Sequence, residues 1–307
     1  MVASIEKLRR SWRKSPRHWL RSMQHGLLRA VAPLRNELRW QCLLAQRMQS
    51  ETRRARCAVT LTSYPARYPT LAATIKSLLA QRLRPAEVVL SLYAGDVAAL
   101  PHQVLALQAH GLRLMVSEDN LKVYLKLIPA LRSASDVVWV TADDDIYYPP
   151  DWLETLWGAH EAKPDAIVCR RAHVLRWGED GYLLPYRVWP KRTALGAASD
   201  PLFLTGVGGV LYPPGSLHPE VTRSDLFLAL SPNADDIWLN AMARRIGTPI
   251  LRVGPVDEPI TWMRSQREGL FRLNARGHNN DECLARMAAH FGPDFLRPQA
   301  QGKSLAD

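Results

Sequence analysis

Short apolar runs alternate with segments of helical periodicity over the first half of the chain. The apolar runs, which are typical of buried strands, lie at residues 57–62, 87–92, 112–117 and 137–140. The predicted helices between them lie at 70–81, 101–110 and 122–132. Strands that alternate with helices form a mostly parallel sheet flanked by helices, and ligands bind where the strands end. The sequence therefore predicts an α/β, Rossmann-like fold with its site at the carboxyl edge of the sheet.

Three consecutive carboxylates, Asp143, Asp144 and Asp145, follow the fourth of these strands. Like charges this close repel each other, so at the end of a buried strand they indicate a bound cation. Carboxylate oxygens suit Mg²⁺ or Mn²⁺, whose remaining ligands are then water and a diphosphate. If the extended backbone continued through the triplet, Asp143 and Asp145 would point to one side and Asp144 to the other. The alternative is that the three acids only cap the turn before Pro149.

The net charge of +11 belongs to one end of the chain. Residues 1–56 contain 14 Lys and Arg against three Glu, whereas the remainder holds 26 basic and 26 acidic residues. The basic segment also carries many Leu and Trp residues, which suits an amphipathic helix on an anionic membrane. A basic helix that packs on the body, or a disordered segment, is the alternative. Nucleic acid is not an expected partner, because the neutral body offers no extended basic footprint.

The chain has no run of about 18 to 20 apolar residues and no apolar leader with a cleavage site, so no transmembrane helix is expected. We expect a cytoplasmic protein that is peripheral on the inner face of the membrane if its basic segment binds lipid. The four cysteines, Cys42, Cys57, Cys169 and Cys283, are far apart and form no Cys-x-x-Cys pair. They are predicted to be reduced, structural thiols.

Two further segments carry residues suited to chemistry. A Gly-rich stretch at 205–215 contains Gly208 and Gly209, and a helix is predicted to start at Asp235 and Asp236. A helix at 151–161, a strand at 166–170 and an irregular stretch at 178–200 precede them. We expect three regions: the basic helical extension 1–56, one catalytic domain at 57–290 and a tail at 291–307.

The order of these motifs resembles that of the GT-A nucleotide-sugar glycosyltransferases, most closely the glycosyltransferase family 2 group. The opening strand, turn and helix, the acidic strand end leading into a helix at Trp152, the Gly208-Gly209 segment and the Asp235-Asp236 helix start all follow in the same order. The resemblance covers roughly residues 57–245. It implies the GT-A fold and the activity of a glycosyltransferase of the hexosyltransferase type.

The chain departs from the common family pattern in two places. That pattern reads Asp-x-Asp-Asp, and aligning its last acid on Asp145 places Ala142 at its first position. The metal ligand is therefore either Asp144 or the pair Asp143 and Asp145. The second strand of the family normally ends in an acidic residue that contacts the nucleotide base. Here the strand ends within residues 91–96, where the first acidic residue is Asp96. The nucleotide is not specified by this position.

The resemblance assigns roles to individual residues. Asp236 is the implied catalytic base, with Asp235 as its neighbour; a pair of first-turn acids stabilised by the helix dipole is the alternative. The implied donor-binding residues are Thr62, Ser63, Arg67, Lys126, Asp143, Asp144, Gly208 and Gly209. The implied metal ligands are Asp143, Asp145, Asp144 and His278. An alternative remains open for each of three assignments. Gly208-Gly209 could form a plain turn, Lys126 could lie on a solvated helix face, and His278 could belong to a polar loop that caps the next helix.

The resemblance implies a Mn²⁺- or Mg²⁺-dependent transfer of a sugar from a nucleotide-diphosphate sugar, with inversion. The implied acceptor is a surface polysaccharide, a lipopolysaccharide or a lipid-linked glycan. A sugar nucleotidyltransferase is the first alternative, but it would show a Gly-rich, basic phosphate loop after the first strand, where this chain has Ser63-Tyr64-Pro65-Ala66-Arg67. A non-catalytic membrane-associated scaffold built on residues 1–56 is the second.

Overall fold

The computed structural model describes residues 16–46, 54–190, 201–255, 259–262 and 279–298. Within these ranges the strands are β1 (Cys57–Thr62), β2 (Glu87–Tyr93), β3 (Leu112–Ser117), β4 (Val138–Thr141), β5 (Ile146–Tyr147), β6 (Ile167–Cys169), β7 (Ala172–Val174), β8 (Leu202–Leu204), β9 (Val210–Tyr212), β10 (Ile250–Arg252) and β11 (Ile260–Thr261). Seven of them form a central sheet in the order β10-β6-β9-β4-β1-β2-β3. Its strands pair in parallel except β9, which is antiparallel to β4 and β6. The predicted mostly parallel sheet is confirmed.

Helices cover this sheet. The α-helices of the described ranges are α1 (Pro16–Gln46), α2 (Tyr68–Leu79), α3 (Ala94–Val97), α4 (His102–Leu105), α5 (Ile128–Ser133), α6 (Trp152–Ala162), α7 (Ser224–Leu230), α8 (Asp235–Arg245) and α9 (Asn279–Phe291). Short 3₁₀ helices lie at Pro65–Arg67, Ala106–His110, Lys122–Lys126, Tyr186–Val188 and Pro219–Thr222. The helix predicted at 122–132 is thus split in two. Pro129 has no backbone N–H, so it fits the first turn of α5 but not the interior of a longer helix.

Alternate residues of the central strands belong to two apolar clusters. In β1, Val59 and Leu61 lie in the cluster that contains residues of α2, whereas Ala58 lies in the cluster that contains residues of α8. Because side chains along a strand point alternately to the two faces, a strand covered on both faces consists mostly of apolar residues. This is why the runs in the sequence identify the central strands without a polar alternation.

The strand β9 was not predicted from the Gly-rich segment that contains it. It is three residues long, and yet it lies between β4 and β6 in the middle of the sheet. Gly208-Gly209 precede the strand and Pro213-Pro214 follow it, and these residue pairs are typical of turns. Three apolar residues between two turn signals are too few to predict a strand. The sequence therefore indicated a turn where the sheet gains an antiparallel strand.

The long basic helix α1 packs on the domain. Trp40 and Leu43 are buried in the cluster that contains residues of α2. Asn36 Nδ2 donates to the carbonyl of Ala73 at 2.8 Å, and Arg39 Nε donates to the carbonyl of Ala80 at 2.7 Å. Of the alternatives for this segment, packing on the body is what the structure shows for residues 16–46. No helix in the described part of the chain is long and apolar enough to cross a membrane.

The opposite face of α1 is apolar and exposed. Met23, Leu27, Leu34 and Leu38 are each more than half exposed. They recur at intervals of four or seven residues, so they form one stripe along the helix. We call these four residues the outer stripe.

The cysteines are free thiols, as predicted. Burial raises the pKa of Cys57 to about 12 and that of Cys169 to about 12. A thiol that stays protonated is a poor nucleophile and a poor metal ligand, so these two cysteines contribute to packing.

Candidate active site

The loop after β1 and the aspartates after β4 meet at the carboxyl edge of the sheet. The two strands pair in parallel, so their ends lie side by side. Ser63 Oγ donates to Asp144 Oδ2 at 2.6 Å. Arg67 Nη1 donates to Asp145 Oδ2 at 2.5 Å and lies 3.9 Å from Asp144 Oδ1. Thr62 is the last residue of β1 and is partly exposed beside them.

The expected alternation of the three aspartates is wrong. The strand β4 ends at Thr141, and Asp144 and Asp145 lie in a turn rather than in an extended segment. As a result, Asp144 and Asp145 both face Arg67, whereas Asp143 faces Lys126. The triplet is thus divided into a pair and a single acid.

Lys126 connects Asp143 with the acids at the start of α8. Its Nζ donates to Asp143 Oδ1 at 2.6 Å and lies 3.8 Å from Asp235 Oδ2. Its carbonyl accepts a hydrogen bond from Thr60 Oγ1 at 2.7 Å, which fixes the backbone to β1. Burial on its own lowers the pKa of Lys126, but the charges of Asp143 and Asp235 outweigh burial and raise that pKa. The side chain therefore stays charged, unlike the solvated lysine of the alternative interpretation.

Asp235 and Asp236 occupy the first turn of α8, as the sequence predicts. Asp236 Oδ1 accepts a hydrogen bond from the backbone N–H of Gly206 at 2.7 Å. Burial, reinforced by the neighbouring charge of Asp235, raises the pKa of Asp236 to about 7. Burial also raises the pKa of Asp235, against the opposing effect of Lys126. A helix N-terminus alone would favour the charged carboxylates and lower both pKa values. Burial dominates here, and this favours proton transfer over simple capping.

Burial acts on Asp144 and Asp145 in the same direction. It raises the pKa of Asp144 to about 6, although Arg67 and the hydrogen bond from Ser63 oppose it. It also raises the pKa of Asp145, with a further contribution from Asp143. Both carboxylates are therefore poorly solvated, a state that a bound cation would relieve.

Gly208 and Gly209 have packing contacts that the sequence did not reveal. Both have positive φ, +92° and +99°. A Cβ on Gly209 would lie 2.5 Å from Trp152 Cζ2, and Trp152 Nε1 donates to the carbonyl of Gly208 at 2.6 Å. The glycine that faces the charged groups is Gly206, where a Cβ would lie 3.2 Å from Asp236 Oδ1 and 3.4 Å from Lys126 Nζ.

Three residues that no sequence motif indicated hold the backbone of the triplet, two through their side chains and one through its backbone N–H. The backbone N–H of Asp143 donates to the hydroxyl of Tyr148 at 2.7 Å. Thr74 Oγ1 donates to the carbonyl of Asp144 at 2.8 Å. The backbone N–H of Trp262 donates to the carbonyl of Asp145 at 3.0 Å.

The acidic groups fit a cation that takes most of its ligands from elsewhere. In the described ranges, no three His, Cys, Asp or Glu side chains are grouped so that they could hold a metal ion by themselves. His278, the predicted additional ligand, lies outside these ranges. Mg²⁺ and similar ions are commonly held by one or two carboxylates together with water and substrate phosphates. The all-oxygen donor set of Asp143, Asp144 and Asp145 suits that arrangement.

Residues 59–208 match the family model described as glycosyl transferase family 2. The chain carries a family 2 glycosyltransferase domain. The matched segment of this glycosyltransferase runs from β1 through the aspartate triplet to Gly208, and Asp235 and Asp236 follow it. No curated protein matches the sequence.

Two solved structures are similar to the glycosyltransferase. The mannosyltransferase PcManGT from Pyrobaculum calidifontis, in complex with GDP-Man and Mn²⁺, has 17% sequence identity and a TM-score of 0.51, and the match covers 90% of this chain and 79% of that one. Glucosyl-3-phosphoglycerate synthase from Mycobacterium tuberculosis, in complex with Mn²⁺, UDP and phosphoglyceric acid, has 15% identity and a TM-score of 0.46, with 82% of each chain covered. At this identity the first match shows the shared GT-A fold.

Proposed function

We propose that the glycosyltransferase moves a sugar from a nucleotide-diphosphate sugar to a hydroxyl of a glycan acceptor with the help of Mn²⁺ or Mg²⁺. The observation that carries the proposal is the position of Lys126 between Asp143 of the triplet and Asp235 of α8. The positive charge of Lys126, which can stabilise a diphosphate, thus lies next to a partly buried pair of acids. Glycosyl transfer needs these two functions side by side.

The donor side consists of the triplet and the residues around it. Asp144 and Asp145 would hold the divalent cation, which when bound supplies positive charge to the departing diphosphate. Arg67 and Lys126 add fixed positive charges. Thr62 and Ser63 lie at the end of β1 and at the start of the loop that follows it. PcManGT, of the same fold, was solved with GDP-Man and Mn²⁺, which makes GDP-mannose a reasonable first donor to test.

The acceptor side is built around Asp236. Because burial and the charge of Asp235 raise its pKa, its carboxylate is a stronger base than an ordinary aspartate. Asp236 takes the proton of the acceptor hydroxyl while the hydroxyl oxygen bonds to the anomeric carbon. The bond between that carbon and the diphosphate breaks, and the diphosphate leaves with the electron pair. Attack opposite to the leaving group inverts the configuration.

A thermal-shift screen of nucleotide sugars with and without Mn²⁺ or Mg²⁺ tests the proposal. A ligand at 100 times its Kd stabilises the folded state by about 2.7 kcal/mol, which a melting curve resolves. We expect at least one donor to raise the melting temperature only when the metal is present. The stabilising donor should then be hydrolysed or transferred in a metal-dependent reaction. Failure of every donor to stabilise the protein, with either metal, would contradict the proposed function.

We propose a peripheral contact between α1 and an anionic membrane, which would bring the enzyme to a lipid-linked or lipopolysaccharide acceptor. The inner face of α1 is fixed on the domain, so the outer stripe keeps a constant orientation toward its surroundings. The excess positive charge of residues 1–56 complements an anionic lipid surface. Apolar side chains and basic charge on one helix are the pattern of interfacial binding.

Replacing Leu27 and Leu34 together by Ser should weaken binding to vesicles that contain an anionic phospholipid by roughly tenfold or more, since each buried Leu contributes more than 1 kcal/mol. Co-sedimentation at low and high salt measures this. The matched control replaces two exposed apolar residues elsewhere, Leu105 and Val116, by Ser. If both double variants bind the vesicles equally well, or if binding is the same at low and high salt, the outer stripe is excluded as the lipid contact.

A further inference from the structure

Trp262 lies behind the aspartate triplet and makes two hydrogen bonds toward it. Its backbone N–H donates to the carbonyl of Asp145 at 3.0 Å, and its Nε1 donates to Thr74 Oγ1 at 2.7 Å. Thr74 Oγ1 in turn donates to the carbonyl of Asp144 at 2.8 Å. The carbonyls of two adjacent aspartates are thus held by one tryptophan, one of them directly and the other through a hydroxyl.

The other side of Trp262 contacts α1. Arg29 Nη2 donates to the carbonyl of Trp262 at 3.3 Å. Ala32 of α1 is buried in one small apolar cluster with Trp262 and Tyr147, whose ring meets the indole edge-on at 5.8 Å between centroids. Helix α1 therefore supports the residue that supports the triplet.

The turn that carries Asp144 and Asp145 has little regular structure to hold it. It connects β4 to β5, and β5 pairs with β11 over only two residues, Ile260 and Thr261, immediately before Trp262. A carboxylate that binds a cation has to be held in position before the cation arrives, and the groups behind it do this. In this turn those groups include Thr74 and Trp262.

We propose that Trp262 is a positioning residue of the donor site, and that α1 is part of that site's support rather than an accessory segment. This proposal rests on the proposed function, because it takes Asp144 and Asp145 to face a divalent cation and a diphosphate. The turn that carries the two carboxylates is held by hydrogen bonds to its backbone carbonyls. Trp262 makes one of these bonds directly, with its backbone N–H, and its indole supports the other through Thr74. Loss of such a supporting hydrogen bond typically costs about 10- to 100-fold in metal affinity or activity.

Three variants separate positioning from packing. Trp262→Phe keeps an aromatic ring and removes the Nε1–H, and Thr74→Val keeps the volume and removes the hydroxyl. Thr74→Ser keeps the hydroxyl and should restore the wild-type behaviour. As a matched control, Trp157→Phe removes an indole hydrogen bond on the surface, where Nε1 donates to Glu161 Oε1 at 2.8 Å.

The measurement is the Kd of GDP and of UDP in the presence of Mn²⁺ by titration calorimetry, with a melting curve for each variant. We expect Trp262→Phe and Thr74→Val each to raise the Kd of the nucleotide that the wild type binds by about tenfold. The Kd of the double variant should be no higher than that of either single variant. Thr74→Ser and Trp157→Phe should bind like the wild type. Non-additivity is expected because both changes break the same chain of hydrogen bonds.

The outcomes distinguish this proposal from the proposed function. If the wild type binds neither nucleotide with Mn²⁺, the donor site itself is wrong and the positioning role falls with it. If the wild type binds and both variants bind equally well, the donor site stands and the positioning role is overturned. A lower melting temperature with unchanged Kd would likewise show that Trp262 only packs.

Discussion

Asp236→Asn is expected to lower the rate of transfer by about 10²- to 10⁴-fold, the usual contribution of a general base. Asn keeps the Oδ1 that accepts the hydrogen bond from Gly206, at 2.7 Å in the wild type, so the loop should stay in place. The amide cannot take a proton from the acceptor. Affinity for a nucleoside diphosphate with Mn²⁺ should change little, because Asp236 lies on the acceptor side.

The matched control for this substitution is Asp225→Asn on the surface of α7. Asp225 forms an exposed ion pair with Arg223, so its loss should not alter transfer. Kinetics of both variants and calorimetry of nucleotide binding provide the comparison. Retained turnover in Asp236→Asn would remove this residue as the base, and lost nucleotide binding would show that the substitution disturbed the donor site instead.

The same assignment predicts the pH dependence of the wild type. The base works only when ionised, and burial together with Asp235 raises its pKa to about 7. The rate should therefore rise with pH through about 7 and level off above it. For folding the sign is opposite: an acid whose pKa is raised in the folded state favours that state when protonated, so this contribution is lost as pH rises through about 7. Loss of activity below pH 7 without unfolding is thus the expected combination.

Sequence patterns identified those parts of the molecule that depend on local periodicity. The strands β1, β2 and β3 and the start of α8 follow from apolar runs and from acids at a helix N-terminus. The supports of the triplet could not be found in this way. Trp262 and Thr74 are 188 residues apart, and only the folded chain brings them together. The turn at Asp144 was missed for a related reason, since nothing local marks where an apolar strand stops being extended.

The composition of the basic segment predicted the type of structure but not its contacts. Charge and Leu content indicated an amphipathic helix, and α1 is one. Its buried face carries Trp40 and Leu43, and its inner polar groups Asn36 and Arg39 bond to α2 and to the residue after it. Removing residues 1–56 would therefore expose the apolar surface of the domain and remove Arg29 from Trp262. A clean test of membrane binding requires substitutions on the outer stripe instead of a deletion.

Asp144→Asn and Asp145→Asn are expected to lower Mn²⁺ affinity by about 100-fold or more, since even a group that only supports a metal ligand typically contributes about 10- to 100-fold. Asp143→Asn should lower it by less than about tenfold, because Lys126 pairs with Asp143 alone in the triplet, whereas Asp144 and Asp145 share the single positive charge of Arg67 and keep a net negative charge for the ion. Titration of Mn²⁺ in the presence of GDP measures all three. The control is Asp165→Asn, an exposed acid just before β6 and thus at the opposite edge of the sheet.

These variants separate the two ligand sets that the sequence left open. Loss of affinity in Asp143→Asn and Asp145→Asn, with Asp144→Asn unaffected, would assign the ion to the outer two acids and contradict our assignment. The pH gives a second, independent criterion. Burial raises the pKa of Asp144 to about 6, and a metal ligand must be deprotonated, so the affinity for Mn²⁺ should fall as pH drops through about 6. In Asp144→Asn that dependence should be weaker, because the group that takes up the proton is gone.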